Sequence, residues 1–180
     1  WAAGRIAEEV TGSTLGIVGL GRIGGAVARR ARGFDLRVLY TKRTRVETDL
    51  GEFRELDALL AEADLVTLHV PLTPETHGLI DARRLGLLRD GACLVNTARG
   101  EIVDQDALVA ELVSGRIRAG LDVFVGEPEV PAELLGLENV VLTPHLGSAS
   151  RQAREAMTRL VVDNLLAVER GKPPLTPVWN

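Results

Sequence analysis

Three glycines stand at the spacing Gly19-Leu20-Gly21-Arg22-Ile23-Gly24, a G-x-G-x-x-G pattern in which each glycine has its own physical reason. The first makes a tight turn, the second lets a pyrophosphate approach the backbone, and the third lets a helix pack closely on a strand. A helix beginning here offers free N–H groups and the positive end of its dipole to phosphates. Glycine-rich turns are common, so the pattern alone is weak. Between an apolar run and an amphipathic stretch it predicts a dinucleotide site built on Gly19, Gly21 and Gly24.

A dinucleotide site that prefers NAD carries Asp or Glu about 20 residues further on, at the end of the second strand, to hold the ribose 2′-hydroxyl. Here that place reads Tyr40-Thr41-Lys42-Arg43-Thr44-Arg45. It holds no acid, and Asp35 comes too early, before the strand. The cations and hydroxyls suit a 2′-phosphate instead, with Arg43 the best placed for a bidentate contact and Lys42 and Thr44 beside it. The expected cofactor is therefore NADP(H) in preference to NAD(H). The plainer reading is a solvated basic loop.

Positioning such a site requires a parallel sheet with crossover helices, and the chain has that rhythm. Apolar runs at residues 14–20, 37–40, 64–70, 92–96, 118–124 and 139–143 predict about six strands. Amphipathic stretches at 22–32, 55–63, 81–88, 104–114 and 150–170 predict helices, with Asp104 as an N-cap and Gly115 and Gly171 as stops. The fold class is α/β, a Rossmann-type doubly wound parallel sheet in a single domain over 1–180. The irregular stretch 125–137 reads as a surface loop beside a site.

Composition narrows the classes. The chain has 180 residues, 46% of them hydrophobic but only 3% aromatic, so its core must be aliphatic. A net charge of −4 argues against a nucleic-acid binder. One Cys forms no internal disulfide, and no apolar run is long enough to span a membrane. A cytoplasmic protein without nucleic-acid or membrane partners is expected. Three separated His and one Cys lack metal-ligand spacing. Cys93, in an apolar run, reads as packing; His69 as a neighbour of the cofactor pocket without chemistry; His77 as structural.

Further motifs follow in order: His69-Val70-Pro71-Leu72-Thr73, Asn96-Thr97-Ala98-Arg99-Gly100, Leu121-Asp122-Val123-Phe124 with Glu127-Pro128, and Thr143-Pro144-His145-Leu146-Gly147-Ser148-Ala149. Together with the glycine loop, this series resembles the D-isomer-specific 2-hydroxyacid dehydrogenases over essentially the whole chain. The Tyr40–Arg43 stretch and Gly171-Lys172-Pro173-Pro174 look most like the glyoxylate/hydroxypyruvate reductase branch. The resemblance implies that Arg99 binds the carboxylate of a 2-oxo acid and that His145 is the general acid in reduction. Glu127 would hydrogen-bond that imidazole, and Asp122 would face the nicotinamide carboxamide. Gly19, Leu20, Gly21, Arg22 and Ile23, with Lys42, Arg43 and Thr44 and with Val70, Pro71, Thr97, Ala98 and Gly147, would line the cofactor. A small 2-oxo or 2-hydroxy acid is the implied substrate and a homodimer the implied assembly.

The implied chemistry is sound in physical terms. Hydride transfer to a ketone needs a proton donor that titrates near neutrality, the property of histidine, and an acidic neighbour keeps that imidazole charged. A guanidinium presents the planar fork that a carboxylate matches. Taken singly, each residue also has a plain reading: Arg99 as a surface arginine beside Gly100, Glu127 as a solvated carboxylate, His145 as a structural histidine.

Two rivals remain open. One is an NAD-dependent relative such as a D-lactate or D-3-phosphoglycerate dehydrogenase; the other is a dinucleotide-sensing corepressor of the same fold. Intact members of the resembled family have a second, substrate-binding domain built from both chain ends. Residues 1–10 are expected to be the tail of the segment leading into the cofactor domain. With the substrate domain lacking, Trp1 and Trp179 are expected to be exposed and turnover by this chain alone is not.

Overall fold

Short aliphatic runs, rich in β-branched residues and bounded by glycine or polar turns, form the strands, and amphipathic stretches between them form the helices. In a computed structural model, residues 9–177 are described. The expected leading segment falls outside them for residues 1–8, as do Trp1 and Trp179. Elements run β1 (Thr14–Val18), α1 (Arg22–Ala31), β2 (Arg37–Thr41), β3 (Glu52–Phe53), α2 (Leu56–Glu62), β4 (Leu65–Leu68) and α3 (Ala82–Leu85). They continue with β5 (Cys93–Asn96), α4 (Gln105–Val113), β6 (Arg118–Leu121), β7 (Val140–Leu142) and α5 (Arg151–Glu169). The chain divides into two compact units, Trp1–Pro144 and His145–Asn180.

The first unit carries the sheet. Its seven strands are all parallel in the order β3-β2-β1-β4-β5-β6-β7. The chain builds outward from β1 in one direction, then returns to β1 and builds in the other. The reversal lies between β1 and β4, the place where open parallel sheets bind ligands beyond the carboxyl ends of their strands. Apolar residues cover both faces. Leu59, Leu60, Val66, Leu94, Ile102 and Ile117 belong to one buried cluster, and Leu15, Ile17, Ala28, Ala31, Val38 and Tyr40 to another. Tyr40 is the large member of the second cluster. Its ring meets Phe53 edge to face at 5.7 Å, and its hydroxyl donates to the Val46 carbonyl.

The structure differs from the expected elements in three places. There is a seventh strand, β3, too short at two residues for periodicity to reveal. Strands expected to run on to residues 20, 70 and 124 stop at Val18, Leu68 and Leu121, because the following backbone turns away to form the loops of the site. The helix expected over 81–88 is a single turn, α3, with the Asp81 side chain accepting the Arg84 N–H at its start. The expected cap and stops are present: Asp104 accepts the Ala107 N–H at 3.1 Å, and Gly115 and Gly171 take positive φ of 74° and 67°. The structure adds a cap at Ser150, which accepts the Ala153 N–H at 3.1 Å.

Candidate functional site

The glycine loop joins β1 to α1, and its three glycines do three different things. Gly19 has φ 101°, its N–H donates to the Thr41 carbonyl at 3.0 Å, and a Cβ there would lie 2.7 Å from the His69 carbonyl oxygen. A Cβ on Gly24 would strike the Gly19 carbonyl oxygen, so the first turn of α1 rests against the loop itself. Gly21 differs: nothing of the protein lies within 4 Å of where its Cβ would be. It is the N-cap of α1, no side chain caps it, and the first turn carries no acid. Two glycines are thus required by packing against protein, and the middle one faces open space at a helix N-terminus. That is the arrangement a pyrophosphate needs.

A cleft of about 1010 Å³ opens there, lined by Gly21, Arg22 and Ile23, by His69, Val70, Pro71 and Leu72, and by Thr97, Ala98 and Arg99, among others. It joins the carboxyl ends of β1, β4 and β5. Gly19 and the buried Leu20 lie at the end of β1 behind it. His69 donates its backbone N–H to Val18 at 2.7 Å, and its Nε2 lies 3.0 Å from the Thr67 hydroxyl. Burial pushes the imidazole below its ordinary pKa, so a neutral ring lines the cleft. His77 sits in a turn, its N–H donating to the Thr73 carbonyl at 2.9 Å.

Where β2 ends, the sequence turns basic. Thr41 is the last strand residue, and Lys42, Arg43 and Thr44 follow it exposed. No carboxylate stands at the strand's end. Arg45 is engaged elsewhere, its guanidinium over the Phe53 ring at 5.5 Å from the centroid. Arg43 acts at longer range on Glu75, whose carboxyl is held below its ordinary pKa by a hydrogen bond to Thr73 first and by the Arg43 charge last.

The loop bearing Arg99 is fixed from two sides. At the end of β5 the buried Asn96 side chain accepts the Ala98 N–H at 3.0 Å and donates to the Arg99 carbonyl at 2.8 Å. On the other side, Gly100 lies against the backbone of Phe124 and Val125. Arg99 is exposed, and its Nη1 donates to the Ala98 carbonyl at 2.6 Å. The segment met by Gly100 leads to Glu127, an exposed residue whose Oε1 accepts the Phe124 N–H at 3.0 Å. Asp122 is buried just past β6, donating its N–H to Asn96 at 3.0 Å and accepting the Thr143 hydroxyl.

His145 opens the second unit with φ 53°, exposed, and Gly147 follows it, also exposed. The structure therefore gathers Gly21, Arg22 and Ile23 of the glycine loop with Val70, Pro71, Thr97, Ala98 and Arg99 in one cleft, and packs the Arg99 loop onto the segment that leads to Glu127. Asn96 was not marked by the sequence reasoning; its signal is a single amide at the end of an apolar strand. Cys93 is half-buried, and burial raises its thiol pKa, which removes the thiolate a nucleophile requires. Among the described residues no group of His, Cys, Asp and Glu could hold a metal, and no helix is long and apolar enough to cross a membrane.

Known proteins share this sequence pattern and fold. The family described as D-isomer specific 2-hydroxyacid dehydrogenase, NAD binding domain, matches residues 1–147. A glyoxylate reductase of Pyrococcus horikoshii is 55% identical over 175 residues, covering 94% of this chain and 52% of that protein. The NADPH-dependent glyoxylate/hydroxypyruvate reductase of Sinorhizobium meliloti, solved with citrate, superposes with a TM-score of 0.87 at 43% identity, over 93% of this chain and 53% of that one. A D-lactate dehydrogenase of Treponema pallidum gives a TM-score of 0.89 at 32% identity, over 97% of this chain and 58% of that one. The chain spans about half the length of the curated relatives it matches.

Proposed function

The chain belongs to the D-isomer specific 2-hydroxyacid dehydrogenases, as the bearer of their NAD binding domain, and from that membership we propose that it serves the reduction of glyoxylate or hydroxypyruvate with NADPH. The observation that carries the reading is the single cleft with a glycine cradle at one side and Arg99 at the other. Gly19 and Gly24 leave no room for a side chain while Gly21 leaves room for a ligand, so the residues fit a nicotinamide dinucleotide. When bound, that cofactor supplies the hydride.

The chain's own residues do the rest. Arg99 pairs its guanidinium with the substrate carboxylate and thereby orients the adjacent carbonyl. His145 donates a proton to the oxygen on which charge develops, and Glu127 favours the charged imidazole. Asp122, buried at the end of β6, receives the carboxamide. Lys42, Arg43 and Thr44 meet the 2′-phosphate; the missing acid at the end of β2 supports that choice, as does the NADPH dependence of the Sinorhizobium relative. A homodimer accords with the apolar residues that α5 leaves exposed, Val161, Leu165 and Val168 among them.

Calorimetric titration with NADPH and with NADH, followed by glyoxylate turnover assays of the full-length protein, tests the proposal. NADPH binding more than about tenfold tighter, a difference of about 1.4 kcal/mol, with turnover of glyoxylate, is the expected result. Parity or a preference for NADH would make the cations a solvated loop and favour an NAD-dependent relation such as the D-lactate dehydrogenase. Cofactor binding without any 2-oxo acid turnover would point instead to a dinucleotide-sensing protein.

A further inference from the structure

Strand β5 is apolar up to its last residue, and that residue is Asn96, only 2% exposed. Both ends of its amide are spent on the loop that follows. The Oδ1 accepts the Ala98 N–H at 3.0 Å and the Nδ2 donates to the Arg99 carbonyl at 2.8 Å. A neutral side chain that accepts one hydrogen bond and donates another at this reach is an amide, and Asp in its place would lack the donor. The Asn96 backbone carbonyl also takes the Asp122 N–H at 3.0 Å. One residue therefore ties together three positions around the cleft.

The other side of the loop is closed by Gly100, which lies against the Phe124 and Val125 backbone. Held between these two constraints, Arg99 keeps extended φ and ψ of −149° and 143° although its side chain is exposed. A buried hydrogen-bonded amide adds little net stability over an apolar side chain of similar size, whereas breaking a satisfied network loses the geometry it specified. The position is one where conformation, rather than burial, is the return.

We infer that Asn96 is a positioning residue: it fixes Ala98 at the dinucleotide and aims Arg99 at the carboxylate of the 2-oxo acid, without touching either ligand. This rests on the reading of Arg99 given above. The effect on the reaction runs through Arg99, so it falls on substrate affinity more than on cofactor affinity.

The test uses the full-length protein with glyoxylate as substrate and NADPH as cofactor. Asn96→Asp keeps the shape and the acceptor for Ala98 but sets an oxygen against the Arg99 carbonyl. It is expected to raise KM for glyoxylate roughly tenfold or more, as small misplacements of binding groups do, while the NADPH Kd changes less than about threefold. Asn96→Ala, which also releases Ala98, is expected to weaken both. It introduces no buried charge and carries the test if the aspartate variant does not fold. In an Arg99→Ala background Asn96→Asp is expected to add nothing to KM. An unchanged KM in the single variant, or an effect that persists without the Arg99 side chain, overturns the inference. An Arg99→Ala protein with normal KM overturns the reading of Arg99 itself, a result separable from the other two.

Discussion

Gly100 and Phe124 touch backbone to backbone: a Cβ on Gly100 would run into the Phe124 carbonyl group and lie 2.5 Å from the Val125 nitrogen. The contact joins the loop after β5 to the loop after β6, and so joins Arg99 to the segment that bears Glu127. Glycine is required here for proximity, since its φ is not in the left-handed region. Gly100→Ala must push the two loops apart. A loss of about 1–3 kcal/mol is expected in urea unfolding, the usual cost of forcing atoms into packed space, together with a raised KM for the 2-oxo acid. Unchanged stability would show that the loops separate freely.

The glycine loop gives a contrast within six residues. Gly24→Ala sets a methyl against the Gly19 carbonyl oxygen, whereas Gly21→Ala meets no protein atom within 4 Å. The first should lower the melting temperature and abolish dinucleotide binding together. The second should melt within about 2 °C of the parent, since surface changes cost about 0.5 kcal/mol or less, and still bind dinucleotide at least tenfold more weakly. Equal losses of binding and stability in both variants would contradict the separate roles.

That contrast was legible in the sequence because a glycine fingerprint ties each position to a geometric need. The alternation of strands and helices and the cap at Asp104 were legible for the same reason, each being set by local chemistry. The β3 strand was not, because Glu52 and Phe53 owe their pairing to Leu39 and Tyr40 across the edge of the sheet and not to any periodicity of their own. Asn96 was missed too. Its importance lies in two hydrogen bonds that exist only once β5 ends where it does. The engagement of Arg45 by Phe53 likewise depends on tertiary placement, and it divides a run of cations that look alike in the sequence.

Asp57 makes stability depend on acid. It lies between Arg83 at 2.7 Å and Arg84 at 3.0 Å, linking α2 to α3. Hydrogen bonds to Arg83 and then Arg84 hold its carboxyl at about 2, against 3.8 ordinarily. Because the folded-state value is the lower, the stabilisation is complete above about pH 4 and is lost as pH falls through about 2. Its size is about 1 kcal/mol or less, since the carboxylate is 47% exposed and screened. In melting curves against pH, Asp57→Asn should lie below the parent at pH 6 and converge with it near pH 2. A gap that stays constant across that window would assign the effect to packing.

The cations after β2 provide a comparison of neighbours. Arg43 is exposed directly past the strand end, while Arg45 covers the Phe53 ring. If a 2′-phosphate is read here, the guanidinium free to reach it is that of Arg43, and the exchange that matters is a cation for the acid that NAD sites carry. Arg43→Asp should weaken NADPH at least tenfold and leave NADH within about threefold or improve it, because a phosphate loses a charged partner and the ribose hydroxyl gains an acceptor. Arg45→Asp should cost stability through the lost ring contact, on the order of 0.5–1 kcal/mol at an exposed site, and shift the NADPH-to-NADH ratio less than Arg43→Asp does. The reverse ranking would move the phosphate contact to Arg45 and require it to leave Phe53 on binding.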